Sequence, residues 1–270
     1  MPELPEVETT RRGIAAQVIG CRIVQVLVRQ SALRWPVPDL PLHLAEQRIE
    51  AIGRRGKYLL FTFADGTMLI HLGMSGSLRL VPVGTPAMTH DHVEWQLDNG
   101  WTLRFNDPRR FGAVLWTDAP VEEHPLIRHL GPEPLSAAFN ADYLRAVTRD
   151  RSAAIKTVLM DSRVVVGVGN IYANEALFRA GIHPARAARR IGWIRQQHLV
   201  GSIRHVLAEA IAAGGTTLRD FVGSDGRPGY FAQQLSVYGR VQAPCRQCAT
   251  PIRQFRQAQR SSYFCPRCQR

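Results

Sequence analysis

Lysine is nearly absent from this 270-residue chain: of its 34 basic residues only Lys57 and Lys156 are lysines, and 32 are arginines. A guanidinium stays protonated at any physiological pH, so most of this positive charge is excluded from proton transfer. The two exceptions are candidates for chemistry that arginine cannot perform, because an ammonium can release its proton near neutrality. Acids are also scarce, 22 in all, and none follows Asp225, whereas Arg227, Arg240, Arg246, Arg253, Arg256, Arg260, Arg267 and Arg270 do. No apolar run approaches the roughly 18 residues of a membrane-spanning helix, which excludes that class. Acids stand at the N-terminus where a secretory leader has a basic segment and an apolar core, so a soluble, cytoplasmic protein is expected. Cysteine is limited to five residues, which excludes a dense disulfide framework.

What remains is a net charge of +12 and a pI near 10.3. That balance favours an anionic partner, and without a membrane signal the partner is nucleic acid. Four of the five cysteines fall in the last 26 residues as Cys245-x2-Cys248 and Cys265-x2-Cys268, with 16 residues between the pairs. Two such knuckles suit one four-thiolate zinc ion, and the intervening stretch is long enough for a hairpin to bring them together. So small a module cannot bury enough core to fold without its metal.

Residues Pro5 to Ile19 carry apolar positions at helical spacing, with Pro5 in the first turn and Gly20 as a stop. Alternation then predicts strands at 22–29, 48–53, 58–63, 68–72, 92–97, 101–106 and 113–117. Ala64-Asp65-Gly66 and Asp98-Asn99-Gly100 supply hairpin turns, and the set reads as an antiparallel sandwich or barrel. The Pro/Gly-rich stretch from His129 to Pro134 marks a boundary. Beyond it the pattern predicts helices at 141–148, 153–160, 171–180 capped by Asn170 and stopped by Gly181, and 194–213. Residues 216–230, rich in glycine and polar side chains, read as a mobile loop. The expected architecture is α+β and multidomain: an N-terminal catalytic β-sandwich with an N-terminal helix (1–128), a helical DNA-binding domain (129–235) and a four-cysteine zinc-finger hairpin (236–270).

Several residues could carry chemistry. Removal of Met1 would expose the secondary amine of Pro2, which can form an iminium with a sugar aldehyde carbon. Glu3 lies beside that amine, where a partly buried carboxyl could act as a general acid. Glu6 and Glu8 read more simply as acids favouring the positive end of a helix. Met74 in His71-Leu72-Gly73-Met74-Ser75-Gly76, and Arg109 and Phe111 in Asn106-Asp107-Pro108-Arg109-Arg110-Phe111-Gly112, lie on turn-like segments at strand ends. A thioether, a guanidinium and a phenyl ring on adjacent loops could fill the gap left by an extruded base. His90-Asp91-His92 reads as a phosphate contact or as a metal pair lacking a third ligand. Gly167-Val168-Gly169-Asn170 runs into a helix and could hold a phosphate oxygen or merely cap that helix.

In combination the segments PELPEVETTRRG, RRGKYLL, HLGMSGSLR, NDPRRFG, LGPEPL, VVGVGNIYANEALF, GGTTLRDF, DGRPGYF and AQRSSYFCPRCQ closely resemble the bacterial formamidopyrimidine-DNA glycosylase family over nearly the whole chain. The resemblance implies a helical domain with a helix-two-turns-helix element. It further implies a bifunctional glycosylase and AP lyase of base-excision repair that removes oxidised purines, 8-oxoguanine and formamidopyrimidines, and cuts the strand by β,δ-elimination. Pro2 is then the Schiff-base nucleophile, Glu3 the acid for ring opening and base release, Lys57 the proton donor and phosphate contact in β-elimination, and Arg260 a catalytic residue that grips the flanking phosphates and serves in δ-elimination. His90, Arg109, Arg151 and Asn170 match DNA contacts, Met74, Arg109 and Phe111 match the wedge, and 217–230 match the lid over the flipped base. Cys245, Cys248, Cys265 and Cys268 hold one structural Zn2+. The implied partner is damaged double-stranded DNA, bound by a monomer with no small-molecule cofactor. Asn174 stands where related sequences often carry Asp or Ser, and Arg151 where some carry lysine. Two other readings stay open: an endonuclease VIII-like enzyme for oxidised pyrimidines, and a non-catalytic zinc-finger DNA-binding protein.

Overall fold

Glu3, in extended conformation, precedes helix α1 (Leu4–Val18), and Pro5 occupies the first turn, where its missing N–H leaves no hydrogen bond unmade. Leu4, Val7, Ile14 and Val18 recur at helical spacing and are all at most 1% exposed. Each such side chain contributes roughly 1.5–3 kcal/mol by leaving water. The computed structural model describes residues 1–216 and 234–270. It divides into two compact units, one of Met1–Arg128 with the described residues from Ala213, the other of His129–Ala212 with those from position 234 onward.

After α1 the first unit runs through β1 (Ile23–Val28), α2 (Leu40–Leu44), β2 (Ala51–Arg55), β3 (Tyr58–Phe63), β4 (Gly66–His71), β5 (Ser77–Pro82), β6 (Asp91–Leu97), β7 (Trp101–Asn106) and β8 (Ala113–Thr117). Two antiparallel four-stranded sheets result, ordered β1-β6-β7-β5 and β2-β3-β4-β8. Val7, Ile14 and Val18 of α1 share one apolar cluster with Phe61, Ile70, Trp95, Leu103 and Phe105 of the strands. The architecture is therefore the expected sandwich with an N-terminal helix, in place of a barrel.

Two elements have no periodic signature. Strand β5 pairs with β7 from Ser77↔Asn106 to Pro82↔Trp101, yet only Leu78 along it is buried, so its alternation is faint. Helix α2 is five residues long, capped by the Asp39 side chain accepting from the Leu42 amide, and is too short to show a period. The strand expected at 48–53 begins at Ala51, because Arg48 makes only an isolated bridge with Arg22.

The second unit contains α3 (Ala141–Thr148), α4 (Ile155–Leu159), α5 (Asn170–Arg179) and α6 (Trp193–Ala212), followed by the hairpin of β9 (Arg253–Gln257) and β10 (Arg260–Phe264). Helix α4 is shorter than expected, since Ala154 is extended and serves as its cap. The expected cap of α5 is also corrected: Gly169 caps the helix in extended conformation and Asn170 is its first residue. Among the described residues no helix is long and apolar enough to cross a membrane.

Candidate functional site

In the first unit Pro2 and Glu3 are buried at the start of α1. The Glu3 amide donates to Glu6 Oε2 at 2.8 Å, and the other Glu6 oxygen accepts from the Thr216 amide at 2.8 Å. Glu6 thus ties the chain start to the residue just before the expected lid; the lid itself, 217–230, lies outside the described residues. Glu8 also does more than favour a helix end. Its carboxylate meets Arg11 and Arg12 at 2.8 Å and Arg54 at 3.2 Å. Burial alone would raise its pKa, but the bonds and charges of these arginines bring it down to about 2.

Arg54 in turn donates to the Gly56 carbonyl at 2.8 Å, bracing the two-residue turn Gly56-Lys57 between β2 and β3. Lys57 is half-buried there. His71, at the end of β4, is held neutral: burial, then the charges of Lys57 and Arg34, lower its pKa to about 4. Its Nδ1 accepts from the Gly73 amide at 3.0 Å, which leaves Nε2–H as a donor. Sequence reasoning missed His71, and the signal available was its place at the head of the HLGMSG segment.

These two shifts set an acid sensitivity. Unfolded histidine gains its proton near 6.5 and folded His71 only near 4, so stability falls as pH drops through that window. Glu8 stabilises above its ordinary 4.5 and loses that contribution as pH falls from 4.5 to about 2. Urea unfolding followed by tryptophan fluorescence is expected to show His71→Gln losing less stability than the parent between pH 6.5 and 4, by roughly 2–3 kcal/mol. Parallel pH profiles for the two proteins would refute this.

The loop after β4 and the loop after β7 meet backbone to backbone. At Gly73, with φ of +63°, a Cβ would overlap the Gly112 nitrogen and Phe111 carbonyl carbon, so only glycine permits the approach. The structure thereby brings Met74, half-buried, onto the loop adjoining Arg109 and Phe111. The Arg109 guanidinium lies 4.9 Å from the Phe111 ring centre, within cation–π range, and Phe111 is 47% exposed. His90 and Arg110 adopt left-handed φ of 71° and 55°, a strained conformation that clusters at functional sites. His90 is exposed, whereas His92 is buried and donates through Nε2 to the Asp107 carbonyl at 2.8 Å. Among the described residues only the cysteine cluster groups metal ligands, so the histidine pair has no third member there.

In the second unit the four cysteine sulfurs converge, all within 4.8 Å of one another. Sγ separations of 3.9 Å for Cys245–Cys268 and 3.4 Å for Cys248–Cys265 and Cys248–Cys268 compare with about 3.8 Å between sulfurs of a tetrahedral site with 2.3 Å bonds. All four are free thiols. The donor set fits a structural Zn2+, and the protein carries one such site. Cys245 and Cys265 share a small core with Phe178, Val237 and Ile252.

The hairpin turn Ala258-Gln259 has φ of 45° and 60°, the twist a two-residue hairpin favours, and it delivers Arg260 exposed at the start of β10. Lys156 turns out to be a post for this hairpin. It is 2% exposed, and its Nζ donates to the Ser261 carbonyl at 2.8 Å and to Ser262 Oγ at 2.7 Å. With Thr157, Met160, Asp161, Gln257 and Ala258, Lys156 and Arg260 line a cavity of about 270 Å³. Asn174 bridges the same strand to α5: its Oδ1 accepts from the Tyr263 amide at 2.9 Å and its Nδ2 donates to the Asn170 carbonyl at 2.6 Å. Glu175 accepts the amides of Ser236, Val237 and Tyr238 at 2.8–2.9 Å. Arg151 is exposed and lies 3.8 Å from Asp161.

A sandwich opened by a buried Pro-Glu start and a helical unit ending in a four-cysteine hairpin define a protein that joins a β-sandwich to a helical zinc-finger unit. Three family descriptions match in succession: the formamidopyrimidine-DNA glycosylase N-terminal domain over residues 1–114, the H2TH domain of that glycosylase over 130–222, and a zinc finger found in FPG and IleRS over 243–270. The chain is 57% identical over 277 residues to a formamidopyrimidine-DNA glycosylase of Alkalilimnicola ehrlichii, with all of both chains covered. It is similar to the crystal structure of the MutM (Fpg) protein of Thermus thermophilus, at a TM-score of 0.90 and 39% identity over 99% of this chain and 98% of that one. A Lactococcus lactis Fpg mutant in complex with DNA containing Fapy-dG matches at a TM-score of 0.92 and 32% identity over 100% of each chain. The chain belongs to the formamidopyrimidine-DNA glycosylase family.

Proposed function

We infer that this protein is a base-excision repair enzyme, a DNA glycosylase and AP lyase that removes oxidised purines and then cleaves the strand. The observation that carries the reading is the buried Pro2-Glu3 start, clamped through Glu6, in a member of this family. With Met1 removed, the Pro2 nitrogen is a secondary amine whose lone pair attacks C1' of the damaged nucleotide. The glycosidic bond breaks, the base leaves with a proton, and Glu3 protonates the ring oxygen so that the sugar opens to an iminium. That iminium acidifies the C2' proton, and its loss expels the 3' phosphate. A second elimination expels the 5' phosphate, and hydrolysis frees the proline.

Lys57, on its braced turn, is assigned the proton transfers of β-elimination, and Arg260 the phosphates flanking the lesion and a part in δ-elimination. His90, Arg109, Arg151 and Asn170 bind the strand, while Met74, Arg109 and Phe111 fill the vacated stack. The substrate is damaged double-stranded DNA, and the +12 charge accords with it. We assign catalysis to residues 1–128, DNA binding to 129–235 and the zinc hairpin to 236–270, acting as a cytoplasmic monomer without a small-molecule cofactor.

Borohydride reduction on duplex DNA carrying 8-oxoguanine opposite cytosine tests the assignment. A lesion-dependent covalent adduct is expected, absent with undamaged duplex. Faster release of thymine glycol than of 8-oxoguanine would instead favour the pyrimidine enzyme. Binding without an adduct on either lesion would favour the non-catalytic protein.

A further inference from the structure

Asp107 directly follows β7 and is completely buried, and nothing above gives it a part in catalysis or DNA contact. Its polar groups bind three separate segments. One carboxylate oxygen accepts the Ser75 hydroxyl at 2.7 Å, and the other accepts the Gly112 amide at 2.7 Å. The Asp107 amide donates to the His90 carbonyl at 3.1 Å, and its carbonyl accepts from the Arg110 amide at 3.1 Å and from His92 Nε2 at 2.8 Å. The Ser75 oxygen accepts in turn from the Arg109 amide at 3.3 Å.

Each segment held in this way bears a side chain assigned to DNA. Met74 precedes Ser75, Phe111 precedes Gly112, Arg109 bonds to Ser75 directly, and His90 supplies a carbonyl. We propose that Asp107 is the positioning residue that locks the wedge residues Met74, Arg109 and Phe111, together with the strand contact His90, into one preorganised arrangement. A carboxylate suits the position because it accepts at both oxygens, whereas an amide presents a donor on one side. Strained left-handed residues persist only where the surroundings over-determine them, and Asp107 is bonded to both His90 and Arg110. Lesion extrusion then draws on a wedge whose loops need no ordering as the duplex opens.

The inference rests on reading Met74, Arg109 and Phe111 as the wedge, and the experiment separates the two. Single-turnover base excision from an 8-oxoguanine duplex is compared with strand cleavage at a preformed abasic site, where no base needs extruding. Asp107→Asn is expected to slow excision about tenfold or more and abasic cleavage by less than about threefold, in keeping with loss of a charge-assisted bond. Ser75→Ala, the milder change for folding, is expected to show the same split at smaller size. Placing the lesion in a mismatched bubble, which lowers the cost of extrusion, is expected to restore much of the excision rate. Equal losses on both substrates, or no loss on either, would overturn the proposal. Met74→Ala and Phe111→Ala serve as controls. If they leave excision unchanged, the wedge reading itself fails; if they slow it while Asp107→Asn and Ser75→Ala do not, only the role of Asp107 fails.

Discussion

Protein that keeps an uncleaved residue ahead of Pro2 is expected to lose borohydride trapping by about three orders of magnitude or more, because acylation removes the lone pair on which covalent catalysis depends. In Met1-Pro2 the nitrogen belongs to a planar amide and cannot form an iminium. Freed, it is an α-amine titrating near 8, so a useful fraction is unprotonated at neutral pH. DNA affinity is expected to stay within about threefold, since the charges that bind phosphate are unchanged. Pro2→Gly is the weaker test, because its primary amine still reacts. Undiminished trapping on the blocked protein, with mass spectrometry showing the extra residue in place, would remove Pro2 from the mechanism.

Stripping zinc is expected to have the second largest effect. Four-thiolate sites bind with apparent energies of about 10–16 kcal/mol, and that binding is folding free energy for a module of this size. The core available without metal is small: Phe178, Val237, Ile252 and two of the ligands themselves, Cys245 and Cys265. After chelation, hydrogen exchange should become fast along β9 and β10 while Trp95, buried in the sandwich, keeps its fluorescence. Arg260 loses its fixed place at the turn, so affinity for lesion DNA is expected to fall on the order of tenfold, with the log-log salt slope shallower by about 0.9 for each phosphate that is no longer neutralised. Zinc release with unchanged affinity and slope would leave the finger a purely structural role.

Much of the fold was legible because local pattern reports burial. Strands 58–63, 101–106 and 113–117 and helix 141–148 coincide with their expected limits. The CxxC spacing named four ligands that the structure brings within 4.8 Å. Strand β5 was missed because a strand with a single buried side chain has no contrast between its faces. Asn170 was misplaced by one position because an asparagine before an apolar run looks like a cap, while Gly169 supplies the extended geometry.

The polar framework is a different matter. Ser75 and Asp107 lie 32 residues apart, Lys156 and Ser261 105 apart, and Glu6 and Thr216 210 apart. No periodicity links such pairs. The sequence marked Lys156 as unusual and pointed to proton chemistry, whereas in the fold the same ammonium is committed to a carbonyl and a hydroxyl of the hairpin that carries Arg260. By itself the sequence determined most of the elements, the metal, the charge and the family, since all of these depend on residue type and local spacing. Only the tertiary structure decided which buried acids and amides hold the functional loops. A polar group removed from water must find its partner wherever the folded chain delivers one, and that partner is set by topology.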